Sequence, residues 1–132
     1  MLKSYLFVDN TSAKGRGVFT RERIPPNTLV ENSPVIVMDK KDREYLDQTL
    51  LHDYIFEWGK EKEQCCMALG LISMYNHSYS SNCEYFMDFE DDCILVKTVR
   101  AIEKGEELTI NYNGDWNDPK KLWFEIDKSG TG

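Results

Sequence analysis

Residues 76 to 85, NHSYSSNCEY, gather two side-chain amides, an imidazole, several hydroxyls and a thiol in one short run between an apolar segment and a strand-like one. Such groups orient a polar ligand by hydrogen bonding, and a thiol beside an imidazole can also act as a nucleophile pair. Two further stretches could do chemistry. KGRGVF (14 to 19) has glycines two apart, which let a backbone approach a ligand closely or take positive φ before the strand that follows. GEELTINY (105 to 112) runs from an acidic turn into a strand that ends on a tyrosine. A Rossmann reading of the first fails, because no third glycine stands at the required spacing and no helix opens after it. A metal reading fails too. Cys65, Cys66, Cys83 and Cys93 contain no CxxC pair, His52 and His77 are the sole imidazoles, and no metal site is expected.

The elements that must position these groups are mostly short strands. SYLFV (4 to 8), GVFT (17 to 20), TLVE (28 to 31), VIVM (35 to 38), YFMDF (85 to 89), CILVKTV (93 to 99) and LTINY (108 to 112) are β-branched and aromatic runs between turn signals. Ile24, Asn27 and Val30 recur in spacing as Ile102, Gly105 and Leu108, which reads as a pseudo-repeat of a strand–turn–strand unit. Two stretches read as helical. From Asp42 to Trp58 the residues Leu46, Leu50, Tyr54 and Trp58 fall four apart, and CCMALGLISMY (65 to 75) is apolar enough for a helix through the core. No linker is visible, so residues 1–127 are expected to form one domain and 128–132 a flexible tail or an expression remnant.

With 41% hydrophobic and 30% charged residues in 132, the chain is globular and long enough to bury a core without staples. No apolar run approaches the roughly 18 residues that span a bilayer, and the expected location is cytoplasmic or nuclear rather than secreted or membrane-bound. Sixteen Lys and Arg against 23 Asp and Glu leave a net charge of −7, which disfavours direct nucleic-acid binding and suits a cationic partner.

Taken in order, the three stretches resemble the motifs of the SET domain, the fold of protein lysine methyltransferases. Lys14-Gly15-Arg16-Gly17-Val18-Phe19 is similar to its glycine turn and aromatic strand. Asn76-His77-Ser78 with Asn82 is similar to its Asn-His-Ser motif, and Glu107-Leu108-Thr109-Ile110-Asn111-Tyr112 to its Glu-Leu-x-x-Asp-Tyr motif. The resemblance spans about residues 5 to 116 and is nearest to the compact, zinc-free viral members, which share steps like Asp53-Tyr54-Ile55-Phe56 and Met67-Ala68-Leu69-Gly70. Tyr79 stands where many relatives carry a zinc-ligating cysteine, Ser81 replaces a proline, and Asn111 replaces the motif's aspartate.

The resemblance implies a mainly β fold of short antiparallel strands with a few short helices and a knot-like C-terminal arrangement. It implies S-adenosylmethionine as cofactor, S-adenosylhomocysteine as product, and in-line methyl transfer to a neutral lysine of a basic protein, histone-like or ribosomal. Tyr112 is implied as the catalytic tyrosine and Tyr54 as a wall of the lysine channel, although Tyr54 also fits the apolar stripe of the first helical stretch. Lys14, Gly15, Arg16, Gly17, Asn76, His77 and Tyr112 are implied to hold the cofactor. Trp116 is expected to cover it where relatives use a zinc-bound cap, and Phe19 to lie in the core. The zinc-free relatives further imply a homodimer that completes the substrate groove. Two other readings stay open: a catalytically silent interaction module, and a nucleophile built from Cys66 or Cys83 with His77.

Overall fold

The computed structural model describes residues 1–59 and 62–112. Nine strands, one short α-helix and two 3₁₀ turns follow in the order β1 Leu6–Asn10, β2 Arg16–Thr20, β3 Leu29–Met38, α1 Lys40–Leu46, a 3₁₀ turn Leu50–Asp53, β4 Ile55–Trp58, β5 Gln64–Ala68, a second 3₁₀ turn Ile72–Met74, β6 Asn76–His77, β7 Cys83–Asp88, β8 Cys93–Thr98 and β9 Glu107–Ile110. The class is mainly β, as expected. One sheet has the order β1-β2-β9-β6 and the other β4-β5-β3-β8-β7. All pairings are antiparallel except β6 on β9, where Asn76 stands opposite Thr109 and His77 opposite Ile110. That parallel pair brings the second and third motifs together. Residues 113–132 lie outside the described range, and with them Trp116 and the C-terminal residues of the expected knot-like arrangement, which is therefore not described.

The first helical expectation holds over residues 42–46 and ends in a 3₁₀ turn and a strand, and the second gives way to a strand, for local reasons. Helix α1 starts at Asp39, whose carboxylate accepts from the Asp42 amide, and ends by Asp47. Thr49 then turns its hydroxyl onto the Leu51 amide, a side-chain bond that competes with helix continuation, and Ile55-Phe56-Glu57-Trp58 pairs with β5 instead. The apolar 65–75 run is not a helix but β5, covered on both edges by β4 and β3, followed by a turn at Gly70 (φ +77°). A strand buried in the middle of a sheet has the same unbroken apolar signature as a buried helix. TLVE and VIVM merge into the single strand β3, bulged between Leu29 and Glu31.

The pseudo-repeat is present in space. Ile24 and Ile102 exchange both backbone hydrogen bonds (2.8 and 2.9 Å). The Asn27 amide donates to the Thr98 carbonyl at 2.9 Å and the Gly105 amide to the Thr20 carbonyl at 2.8 Å. Likewise the Thr20 amide meets the Glu106 carbonyl and the Thr98 amide the Thr28 carbonyl. Each partner is displaced by the same spacing in sequence, so the two turn units face each other about a local two-fold axis. Asn27 and Gly105 both take positive φ there, as the tight turns require. Val18, Ile24, Val30, Val96, Ile102 and Leu108 are fully buried beside this axis and form the centre of the core.

The five-stranded sheet is strongly curled. Its edge strands β4 and β7 meet through side chains, Phe56 against Tyr85 (centroids 5.8 Å apart), and Trp58 stands edge-on to Phe89 (4.8 Å). Phe19, expected in the core, instead stacks on Phe7 at 5.9 Å on the outer face of β2, because Val18 and Thr20 occupy the inward positions of that strand.

Glu31 projects from β3 into the core and is fully buried. Its carboxylate accepts from Ser33 Oγ (2.7 Å), the Leu71 amide (2.8 Å) and the Tyr75 hydroxyl (3.1 Å). Burial raises its pKa, and these three donors, with the positive amino terminus bonded to the neighbouring Asn32 carbonyl, only partly oppose the rise; the Tyr75 phenol is itself pushed well up. A carboxyl whose folded pKa exceeds its unfolded value stabilises the fold fully below the unfolded pKa, and that contribution is lost as pH rises through the folded value. The Glu31→Gln variant is therefore expected to lose less stability than the parent between about pH 4.3, the unfolded glutamate value, and neutrality. Urea midpoints across that window check it; parallel curves for the two proteins would contradict it.

Candidate active site

The three motifs converge where β2, β6 and β9 lie side by side. Asn76 Nδ2 donates to the Arg16 carbonyl at 3.0 Å and to Glu107 Oε2 at 2.7 Å. One amide group thus ties the glycine loop, the Asn-His segment and the acidic turn together, and its planar geometry turns the carbonyl oxygen away from both partners. Lys14 Nζ donates to the His77 carbonyl at 3.1 Å, closing the loop onto β6 from the other side. Tyr112 follows β9, and its amide donates to His77 Nδ1 at 3.1 Å. That bond places the imidazole proton on Nε2, and the ring lies edge-on to Tyr79 (4.4 Å) and tilted against Tyr112 (5.1 Å).

The two glycines of the loop serve different ends. Gly15 takes φ +74° with open space around the position of a Cβ, so its need is conformational. Gly17 is buried, and a Cβ there would run into Glu107 Oε2 and lie 2.9 Å from Asn76 Nδ2. It is needed because the Asn76–Glu107 pair packs directly across its backbone.

The Tyr112 hydroxyl donates to the Tyr75 carbonyl at 2.7 Å, and the Tyr85 hydroxyl donates to the Tyr112 carbonyl at 3.3 Å. Although 41% of the Tyr112 surface is exposed, its hydroxyl end is enclosed. Burial, with smaller contributions from Glu107 and Tyr54, pushes its pKa up to about 12. The phenol therefore stays protonated across the physiological range and is a hydrogen-bonding group rather than a base. Since residues 42–58 do not form one helix, Tyr54 is no part of a helical stripe; it closes the first 3₁₀ turn, and its carbonyl accepts from Ser73 Oγ at 3.0 Å. Asn82, immediately before β7, braces the same region, accepting from the Thr109 amide and donating to the Glu107 carbonyl, both at 2.8 Å.

The structure thus brings together Lys14, Gly15, Arg16, Gly17, Asn76, His77 and Tyr112, all read from the sequence, and ties Tyr54 through Ser73 to the segment that precedes β6. Glu107, read only as the first residue of the third motif, was given no role, and neither Tyr75 nor Tyr85 was read as part of the site. The first was visible as a carboxylate in the acidic turn, but Tyr75 acts through its backbone and leaves no side-chain signal. The thiol reading loses its support: burial raises Cys66 to about 12 and moves Cys83 up further, the reverse of an activated nucleophile. Among the described residues no group of three or more His, Cys, Asp or Glu is arranged to hold a metal ion, and no helix is long and apolar enough to cross a membrane.

Comparison with known proteins places the chain in one class. The SET domain family model matches residues 15–113. The chain belongs to the SET-domain family of protein-lysine methyltransferases. It is 39% identical, over 99% of its length and 84% of the relative's, to a Schizosaccharomyces pombe histone-lysine N-methyltransferase specific for H3 lysine-37. It is 34% identical over 113 residues to a Cryptococcus neoformans histone-lysine N-methyltransferase specific for H3 lysine-36, covering 80% of this chain but 14% of that longer protein. In fold it is similar to a crystal structure from Plasmodium falciparum described as a candidate histone methyltransferase, with TM-score 0.63, 23% identity, and coverage of 89% of this chain and 100% of the other.

Proposed function

We propose that this protein transfers the methyl group of S-adenosylmethionine to the ε-amine of a lysine in a histone-like basic protein. One observation carries the reading: a single amide, Asn76, joins the glycine loop to the acidic turn beside Tyr112, so that the groups able to hold cofactor and lysine share one small volume. The residues fit that cofactor. The Asn76 carbonyl oxygen and the Glu107 carboxylate offer acceptors and negative charge to the ammonium of its methionine end. The 14–17 and 76–77 backbones supply the remaining contacts. When bound, the cofactor supplies an electrophilic methyl on a sulfonium.

The rest of the work falls to the chain. A lysine with pKa near 10.4 is neutral about once in a few thousand molecules at pH 7, a deficit of roughly 4 to 5 kcal/mol. A channel walled by Tyr112 and, as the family resemblance implies, Tyr54 takes the amine out of water, which disfavours the ammonium and so lowers that pKa. Tyr112, held by the Tyr75 carbonyl and unable to ionise, presents its oxygen lone pairs to the reacting centre and orients the amine for in-line attack. The net charge of −7 attracts a basic substrate. The histone targets in the names of the S. pombe and C. neoformans relatives support the substrate class.

Calorimetric titration with S-adenosylmethionine and S-adenosylhomocysteine tests the cofactor site. The expected result is one site per chain, weakened at least about tenfold by Asn76→Ala, the loss of roughly one charge-assisted hydrogen bond. Binding that survives the substitution unchanged would move the site elsewhere. Absence of binding would favour the interaction-module reading.

A further inference from the structure

Tyr75 is 1% exposed and Glu31 fully buried, yet neither belongs to the site surface described above. Their contacts form a clamp. Glu31 Oε2 accepts the Leu71 amide at 2.8 Å, and Glu31 Oε1 accepts the Tyr75 hydroxyl at 3.1 Å, so one carboxyl group holds both ends of the segment that contains the Ile72–Met74 turn. Ser33 Oγ, bonded to the same carboxyl at 2.7 Å, fixes its rotation. Gly70, at φ +77°, brings the chain so close that a Cβ would collide with Glu31 Oε2 and Ser33 Oγ. Among the described residues Glu31 forms no ion pair, so the carboxyl is held by neutral donors alone.

The fixed end of this segment is the Tyr75 carbonyl, the acceptor of the Tyr112 hydroxyl at 2.7 Å. We infer that Glu31 and Tyr75 are positioning residues for methyl transfer: the buried carboxyl sets the Tyr75 carbonyl, and that carbonyl sets the Tyr112 hydroxyl. The inference rests on the function proposed above and adds to it a control that lies beneath the site. A displacement of that carbonyl of the order of 1 Å moves the hydroxyl and acts on the chemical step, whereas Asn76 and His77 keep their own partners in β2 and β9.

The test is a double-mutant cycle in single-turnover methyl transfer to a lysine-containing histone peptide. Tyr75→Phe removes the hydroxyl that reaches Glu31 and leaves the carbonyl in the chain. It is expected to lower kcat about tenfold while the S-adenosylmethionine Kd changes less than about threefold. In a Tyr112→Phe background the same change should cost less than about twofold, because the hydroxyl that the carbonyl orients is gone. Glu31→Gln, which keeps an acceptor for Leu71 and a polar partner for Tyr75, should retain most of the parent kcat. If circular dichroism shows Tyr75→Phe unfolded, Glu31→Met removes the clamp while filling its volume and enters the same cycle with the same expected loss. An unchanged kcat, or an equal loss in both backgrounds, would overturn the inference while leaving the proposed function standing. A parent protein that transfers no methyl would overturn both.

Discussion

Tyr112→Phe is expected to lower kcat on the order of 10²-fold, with little change in cofactor affinity. The substitution deletes one oxygen, whose hydrogen goes to the Tyr75 carbonyl at 2.7 Å. The ring remains, still packed on His77, and the Tyr112 amide still donates to His77 Nδ1. The lost hydrogen bond costs about 1 kcal/mol of stability in either case, but a purely structural tyrosine would leave the chemical step alone. Single-turnover rates separate the two. Because the phenol pKa lies at about 12, the parent rate should rise from pH 7 to 9 with lysine deprotonation and show no break from Tyr112.

The second large effect is expected at Gly17, and it should fall on cofactor binding more than on stability. In Gly17→Ala the new methyl group meets the far end of the Glu107 side chain and lies 2.9 Å from the Asn76 amide nitrogen. Glu107 can swing aside, so the strand survives, at an overpacking cost of about 1 to 3 kcal/mol. What does not survive is the 2.7 Å bond that holds the Asn76 amide in place. Loss of that orientation should weaken S-adenosylmethionine by at least about tenfold in a protein that still unfolds cooperatively. Calorimetry on the variant decides it; parent-like affinity would mean that the Asn76–Glu107 pair does not shape the site.

Much of the site was legible because its residues are named by spacing. A glycine turn before an aromatic strand, Asn-His-Ser with a second asparagine, and an acidic turn ending on tyrosine each carry a recognisable pattern. The parallel β6–β9 pair then places them together. The strands flanking the two turn units were legible for the same reason, since Ile24 and Ile102 mark matching positions that pair across the local axis. Residues 65–68 misled because an interior strand and an interior helix present the same apolar run. Leu46, Leu50, Tyr54 and Trp58 misled because their spacing crosses a capped helix, a 3₁₀ turn and a strand. Phe19 misled because aromatic character says nothing of which face of a strand is inward. Glu31 and Tyr75 could not be read at all, since their roles arise where β3, the Gly70 turn and the chain before β6 meet.

The central claim is most directly tested by incubating the intact chain with methyl-labelled S-adenosylmethionine and a histone mixture, then locating the label by peptide mass spectrometry. The account predicts methyl groups on lysine side chains of a histone, in amounts that fall by on the order of 10²-fold with Tyr112→Phe. Label that never reaches a lysine, from a protein that demonstrably binds the cofactor, would contradict it.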